Sequence, residues 1–285
     1  MMNVIYRLTL SEGIHRRIFH LLLLMTGGFL LFYGYGLHLV YRERGEMILS
    51  GINTGMIHDM SFFFTIGLFF ASFLTGILAI LASVGSIQGE IESGLMYGIL
   101  SKPISRLEVL FGKFLGNATL FFLYGLALFF SIIGLNRWLS GSTLLSFETP
   151  YLIAAALTFT LQPIILLAVT LALSTRLSPM GSGVVIMILY GLSLIGGFIE
   201  QIGIELENPD VERLGILSSL ILPVDAMYRM TVSTLSNHLT VPITIPSAPL
   251  FGSHHPPSLA MAVYASLYML VFLGIAAISF RKRDV

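Results

Sequence analysis

With 285 residues, 55% of them apolar and only 11% charged, the chain differs from water-soluble domains, which carry about 25% charged residues. Its mean hydropathy of +0.89 places it among integral membrane proteins, and its 15 basic and 15 acidic residues cancel, so charge is informative only once placed in space. Absence of cysteine excludes disulfides, thiolate metal sites and cysteine nucleophiles.

Residues 1–17 come first in chain order. Val4, Ile5, Leu8, Ile14 and Ile18 recur at roughly helical spacing while Arg7, Glu12, Arg16 and Arg17 stay polar. This pattern predicts an amphipathic helix lying in the membrane interface. The first long apolar run begins only after Arg17 and lacks a small-residue cleavage site, so no cleavable signal peptide is expected.

A hydrocarbon core about 30 Å thick takes about 20 apolar helical residues. Six stretches qualify: Ile18–Val40, Ser61–Ile87, Phe114–Leu135, Tyr151–Leu173, Met180–Ile199 and Ser258–Phe280. Alternating ten-residue segments of the β-barrel kind are missing, so the predicted fold is an all-α integral membrane protein with six transmembrane helices in a single domain.

Between the second and third spans lies a polar island, Gln88 to Lys113. Its 88–106 portion leads with Glu90, Glu92, Ser93 and Gly94, continues through an apolar Leu95–Leu100, and meets Ser101-Lys102-Pro103, where proline should break a helix. Ser105 with Glu108 three residues on forms a capping box that should start the third span. Gly112 and Gly116 have the spacing that permits close helix approach.

Placing the termini in the cytoplasm puts Arg7, Arg16, Arg17, Lys102, Arg106, Lys113, Arg176, Arg281, Lys282 and Arg283 inside, against Arg42, Arg44, Arg137, Arg213 and Arg229 outside. Ten against five is the sense that the positive-inside rule requires. Both termini and the 88–106 segment are therefore expected in the cytoplasm, and 200–257 forms an extracytoplasmic loop. That loop carries an acidic run, Glu200, Glu205, Glu207, Asp210 and Glu212, read as a solvated face. A helix is expected next, then a proline-rich return. At Pro223 to Arg229, proline suits a first helical turn, Asp225 suits the helix dipole, and Asp225 and Arg229 share a face four residues apart.

Glu90-x-Glu92-x-Gly94, then Pro103-Ile104-Ser105-Arg106, then Gly112-Lys113 resembles a segment of ABC-2 type transporter permeases. The six spans, the amphipathic start and the basic end at Arg281-Lys282-Arg283 are similar too. The family's usual threonine after the glycine is Leu95 here. The resemblance implies that 88–106 includes a coupling helix docking on a separate cytoplasmic ATPase subunit, with Glu90, Glu92, Ser93, Gly94, Lys102, Pro103, Ser105 and Arg106 as the coupling residues. It also implies a second permease copy or a related permease, with ATP and Mg on the ATPase and no cofactor on this chain. Localisation follows as the cytoplasmic membrane of a bacterium or archaeon.

Pro223-x-Asp225-x-x-Tyr228-Arg229 is similar to a motif of one branch, the permease of the copper-maturation transporter serving nitrous oxide reductase, with Leu222 where that branch often has asparagine. In that branch the outer face engages an extracytoplasmic accessory protein, which would give Asp225, Tyr228 and Arg229 a docking role.

No catalytic residues are expected: no G-x-x-x-x-G-K-[ST] loop is present, and no acid, base and nucleophile converge. His254-His255 has no accompanying ligand set, so no metal site is predicted. Nucleic acid is not an expected partner. Gln162 and Asn117 are the most polar interruptions of the spans and the candidates for a transport path; helix-to-helix hydrogen bonding explains them equally well. No span carries a charge near its middle, which favours an ATP-driven permease over a secondary transporter or channel.

Overall fold

A computed structural model describes residues 2–45, 54–100, 104–139, 147–236, 250–253 and 257–282. Among the described residues the regular structure is helical: α1 (Met2–His15), α2 (Arg17–Gly45), α3 (Thr54–Ser83), α4 (Gln88–Glu92), α5 (Leu95–Leu100), α6 (Arg106–Leu139), α7 (Thr149–Ser174), α8 (Pro179–Glu205), α9 (Pro209–Ile221), α10 (Val224–Ser236) and α11 (Leu259–Arg281). Helices α2, α3, α6, α7, α8 and α11 are long and apolar enough to cross a membrane and coincide with the six predicted spans.

Local chemistry sets several boundaries. The Ser105 amide donates to Glu108 Oε2 at 2.9 Å and the Glu108 amide to Ser105 Oγ at 3.2 Å, so the expected capping box does start α6. Ser178 caps α8, accepting from the Gly181 amide at 3.2 Å, with Pro179 as first helical residue. Asn208 caps α9, accepting from the Asp210 amide at 3.1 Å.

Helix α7 sits at the centre, touching α3, α6, α8, α10 and α11. Small residues on α3 receive large rings from its neighbours: the Tyr33 ring of α2 lies over Gly67, and the Tyr190 hydroxyl of α8 lies over Gly76. Polar side chains join α2 to α6, with Thr26 Oγ1 and the Tyr124 hydroxyl 2.5 Å apart and Asn136 Nδ2 donating to the Tyr33 hydroxyl at 2.7 Å. Helix α1 lies against α6, and there the Gly112 and Gly116 spacing is used. A Cβ at Gly112 would stand 2.8 Å from Ile5 Cγ2, and one at Gly116 would stand 2.8 Å from Thr9 Cβ. Val4, Leu8 and Ile14 on α1 remain exposed, an apolar surface suited to the membrane interface.

Glu205, Glu207 and Asp210 of the acidic run are exposed, as read, while Glu200 and Glu212 are half-buried on helices. After Glu205 the chain reverses, and α9 runs back along α8 at backbone contact. A Cβ on Gly203 would overlap the Glu212 backbone, and one on Gly215 would overlap the Glu200 backbone. Helix α9 ends level with Ser193, whose hydroxyl donates to the Leu222 carbonyl at 2.7 Å. Ser193 lies about 18 Å from the Glu205 end of α8 and about 21 Å from Pro179, at 1.5 Å per residue. The Tyr264 and Tyr268 hydroxyls of α11 donate to the Leu220 and Ile221 carbonyls, each at 2.6 Å. Helix α10 then starts at this depth and packs on α7, α8 and α3.

Gly215→Val is expected to destabilise the fold by about 1–3 kcal/mol, because the added carbons have only helix backbone to displace. Leu214→Val, at an exposed neighbour, should change little. Thermal unfolding of the two purified variants in one detergent checks the difference.

Candidate functional site

The 88–106 segment is two short helices with a left-handed residue before each. Gly85 has φ +78° ahead of α4, and Gly94 has φ +78° between α4 and α5. That backbone region disfavours a Cβ by about 1–2 kcal/mol, which gives the glycine of the Glu90-x-Glu92-x-Gly94 pattern a conformational reason. Lys102 and Pro103, where the break was expected, lie outside the described residues.

The two glutamates of the pattern point to different destinations. Glu90 is buried and pairs with Lys113, which is itself 3% exposed on α6 and donates also to the Ser86 carbonyl at 2.9 Å. Thr9, Ser86 and Asn117 line a cavity of about 10 Å³ beside this pair, enough for about one water. Arg16 adds a second tie, accepted by Glu12 at 2.6 Å and by the Ala82 carbonyl near the end of α3 at 3.1 Å. Thus a buried ion pair joins α4 to α6, and the half-exposed Arg16 after α1 reaches a carbonyl near the end of α3.

Glu92, Ser93, Gly94 and Leu95 are exposed, Leu95 at 64%, while the adjacent Met96 is fully buried and anchors α5. Gln88 donates to Glu92 at 3.0 Å and steadies that carboxylate on the surface of α4. Ser105 is exposed and engaged in its cap, and Arg106 donates to the Arg281 carbonyl at 3.2 Å, tying the start of α6 to the end of α11. The segment therefore has an exposed rim and a buried root.

At the other end of the spans, Asp225, Tyr228 and Arg229 are clustered on α10. None is more than 1% exposed. The Asp225–Arg229 pair, expected from the four-residue spacing on one helix face, is enclosed. Arg229 Nε donates to Asp225 Oδ2 at 2.6 Å and its Nη1 to the Gly252 carbonyl at 2.6 Å. The Tyr228 hydroxyl donates to the Phe251 carbonyl at 2.7 Å, with the Thr65 carbonyl of α3 a second acceptor at 3.2 Å. Phe251 packs on Phe69 and Phe198, so the short 250–253 segment is pinned over the cluster by two hydrogen bonds and two rings.

These charges enter the interior of the bundle on α10, beside the spans, and Asp225 stands against Gly197 of α8. The uncharged middles of the spans thus hold for the six spans themselves and not for their surroundings. Asp225 and Arg229 neutralise one another, which fits a structural clamp better than a relay that must gain and lose a proton.

Gln162 and Asn117 have different neighbours. Gln162 is buried on α7 and accepts from Ser72 of α3, beside Pro163, whose ring removes a helical hydrogen bond. Asn117 lies next to α1, near Gly13. Elsewhere on α3, Thr65 and Thr75 return their hydroxyls to carbonyls of their own helix at 2.8 Å, whereas Ser72 reaches across to α7.

Sequence reasoning passed over the Glu90–Lys113 pair, although both residues stood in the motif, and over the 250–253 tether. The signal was a lysine directly before the third predicted span and within the helix that its cap starts, where a cation needs a partner. His254 and His255 lie outside the described residues, and among the described residues no group of three or more side chains is placed to hold a metal.

A family model described as ABC-2 family transporter protein matches residues 5–285, nearly the whole chain. No match was found among curated proteins.

Proposed function

The chain belongs to the ABC-2 transporter family, and we propose that it is the permease subunit of an ABC transporter driven by a separate ATPase subunit docked on residues 88–106. In this arrangement both termini and the α4–α5 segment face the cytoplasm of a bacterium or archaeon, in keeping with the ten-to-five distribution of basic residues. A second copy or a related permease completes the membrane part. ATP and Mg belong to the ATPase. The observation that carries this function is the division of the segment into an exposed rim at Glu92 to Leu95 and a buried root at Glu90–Lys113. The rim offers a carboxylate and an apolar side chain to a partner groove. Through the root, a push on α4 reaches α6, against which α1 packs.

Co-purification from the native host tests the docking. The wild-type chain is expected to bring down an ATP-hydrolysing subunit, and Glu92→Arg with Leu95→Asp should reduce recovery about tenfold, corresponding to about 1.4 kcal/mol. Both side chains are exposed, so the double variant should retain its thermal midpoint. Recovery of no ATPase, or equal recovery with the variant, would contradict the proposal.

Within the family, the Pro223-to-Arg229 segment supports the narrower proposal of export or transmembrane signalling for maturation of a copper enzyme. Because Asp225, Tyr228 and Arg229 are enclosed, an extracytoplasmic accessory protein would meet exposed residues of α9 rather than this cluster. Unchanged copper loading of extracytoplasmic copper enzymes in a deletion strain would remove this refinement.

A further inference from the structure

Beside the Glu90–Lys113 pair, the cavity of about 10 Å³ lies where α1, the turn between α3 and α4, α4 and α6 converge. Three properties of its wall select an occupant.

First, the wall holds unpaired polar atoms. Thr9 Oγ1 from α1, Ser86 Oγ from the turn and Glu90 Oε2 from α4 are buried and have no hydrogen-bond partner in the protein. All three residues line the cavity, and none is more than 8% exposed. A buried polar group without a partner keeps the full cost of losing its water, so three such groups around one cavity call for a shared partner.

Second, the wall is electrically balanced. Among the described residues four charged side chains line it, and they stand as two pairs, Glu12 with Arg16 at 2.6 Å and Glu90 with Lys113. Two carboxylates against two cations leave no net charge to draw in an ion of either sign. The shared partner is therefore neutral.

Third, the space is that of about one water. Glu90 Oε2, as a carboxylate oxygen, can only accept, whereas each hydroxyl can donate or accept. A single water meets all three demands at once.

We propose that this cavity is the binding site of one water molecule, which donates to Glu90 Oε2, accepts from the Thr9 and Ser86 hydroxyls, and has the Asn117 carboxamide of α6 for its second hydrogen. The water is the bond by which Thr9 ties α1 to the buried root of α4. Because water exchanges partners readily, α4 can shift slightly against α1 without stranding Glu90. The site is built from this chain alone and stands whether or not an ATPase drives the protein.

X-ray crystallography of the full wild-type chain in a lipid mesophase, at a resolution that shows ordered waters, tests the site directly. One peak is expected about 2.5–3.0 Å from Thr9 Oγ1, Ser86 Oγ and Glu90 Oε2. Removing either hydroxyl gives a second test through the sign of its effect. With the water bound, Thr9→Val and Ser86→Ala should each lower the thermal midpoint by a few degrees, and the two losses should not add, since both act on one molecule. Hydroxyls that were truly unpaired would give the opposite sign, because their removal relieves a cost. Ser86→Ala should also raise amide hydrogen exchange in α1 several-fold, although Ser86 belongs to the turn before α4. Ser11→Ala, on the exposed face of α1, should change neither quantity. Replacing sodium chloride by choline chloride should leave the wild-type midpoint unchanged. An empty or closed cavity in the wild-type map, a raised midpoint in either variant, additive losses in the double variant, or a midpoint that depends on sodium would each overturn the proposal. The wild-type map decides alone if a variant fails to fold.

Discussion

Arg229→Met is expected to destabilise the protein by about 3–5 kcal/mol, the range for removing one member of a buried ion pair. The reason is the environment of its partner. Asp225 is fully buried, its other carboxylate oxygen has no hydrogen-bond partner in the protein, and Gly197 of α8 stands against it with no room for rearrangement. Loss of the guanidinium strands that carboxylate and also frees the Gly252 carbonyl, loosening the 250–253 segment. Lysine should not substitute well, because a single ammonium cannot reproduce the two divergent donors that Arg229 uses. The double variant Asp225→Asn/Arg229→Met removes both charges and should recover most of the loss. Thermal and denaturant unfolding of the four proteins yields the coupling energy directly, and a single variant within about 1 kcal/mol of wild type would show that the pair is not the clamp described.

Lys113→Met is expected to have an effect of similar size on stability, about 3 kcal/mol, and a different effect on activity. Glu90 would remain buried against the start of α6 with its counter-ion gone, and the Ser86 carbonyl would lose its donor. The exposed rim at Glu92 to Leu95 is untouched by this change. A chain so altered should still recover its ATPase on co-purification while ATP-dependent activity falls by at least about tenfold, the opposite pattern to Glu92→Arg with Leu95→Asp. The pair Glu90→Gln/Lys113→Met separates charge from transmission: stability should return and activity should not. Full activity in that double variant would mean that the ion pair is only a packing device.

The six spans and the start of α6 were legible because their causes are local. Hydropathy over about 20 residues marks a span, and Ser105 with Glu108 is a cap that needs no knowledge of the rest of the chain. Gly112 and Gly116 announced a close approach but not its partner, since the spacing does not say that α1 will lie there. The acidic run hid its packing for a related reason. Glu205, Glu207 and Asp210 are exposed as read, yet Gly196, Gly203 and Gly215 allow α9 to run back along α8, half-burying Glu200 and Glu212, and no periodicity in α9 alone reveals that seam. Asp225 and Arg229 inherited their burial from this reversal. At the other end, Glu90 and Glu92 stand two residues apart and so occupy different faces of a short helix, which separates root from rim. That division was available in the spacing, but which face lay inside depended on Lys113 of α6.

The hydroxyls of Tyr264 and Tyr268 have a consequence for the order in which the chain is assembled. The last carbonyls of α9 lie about halfway down α8, away from the nearest end of the bundle, and two of them are satisfied by the final span rather than by anything synthesised before it. During translation α9 and α10 emerge ahead of α11 and have no such donors. The seam with α8 and the Ser193 hydrogen bond can form before α11 is made, and the last two carbonyl bonds of α9 wait for the final helix. The two tyrosines thus make the end of α9 dependent on the helix furthest along the chain.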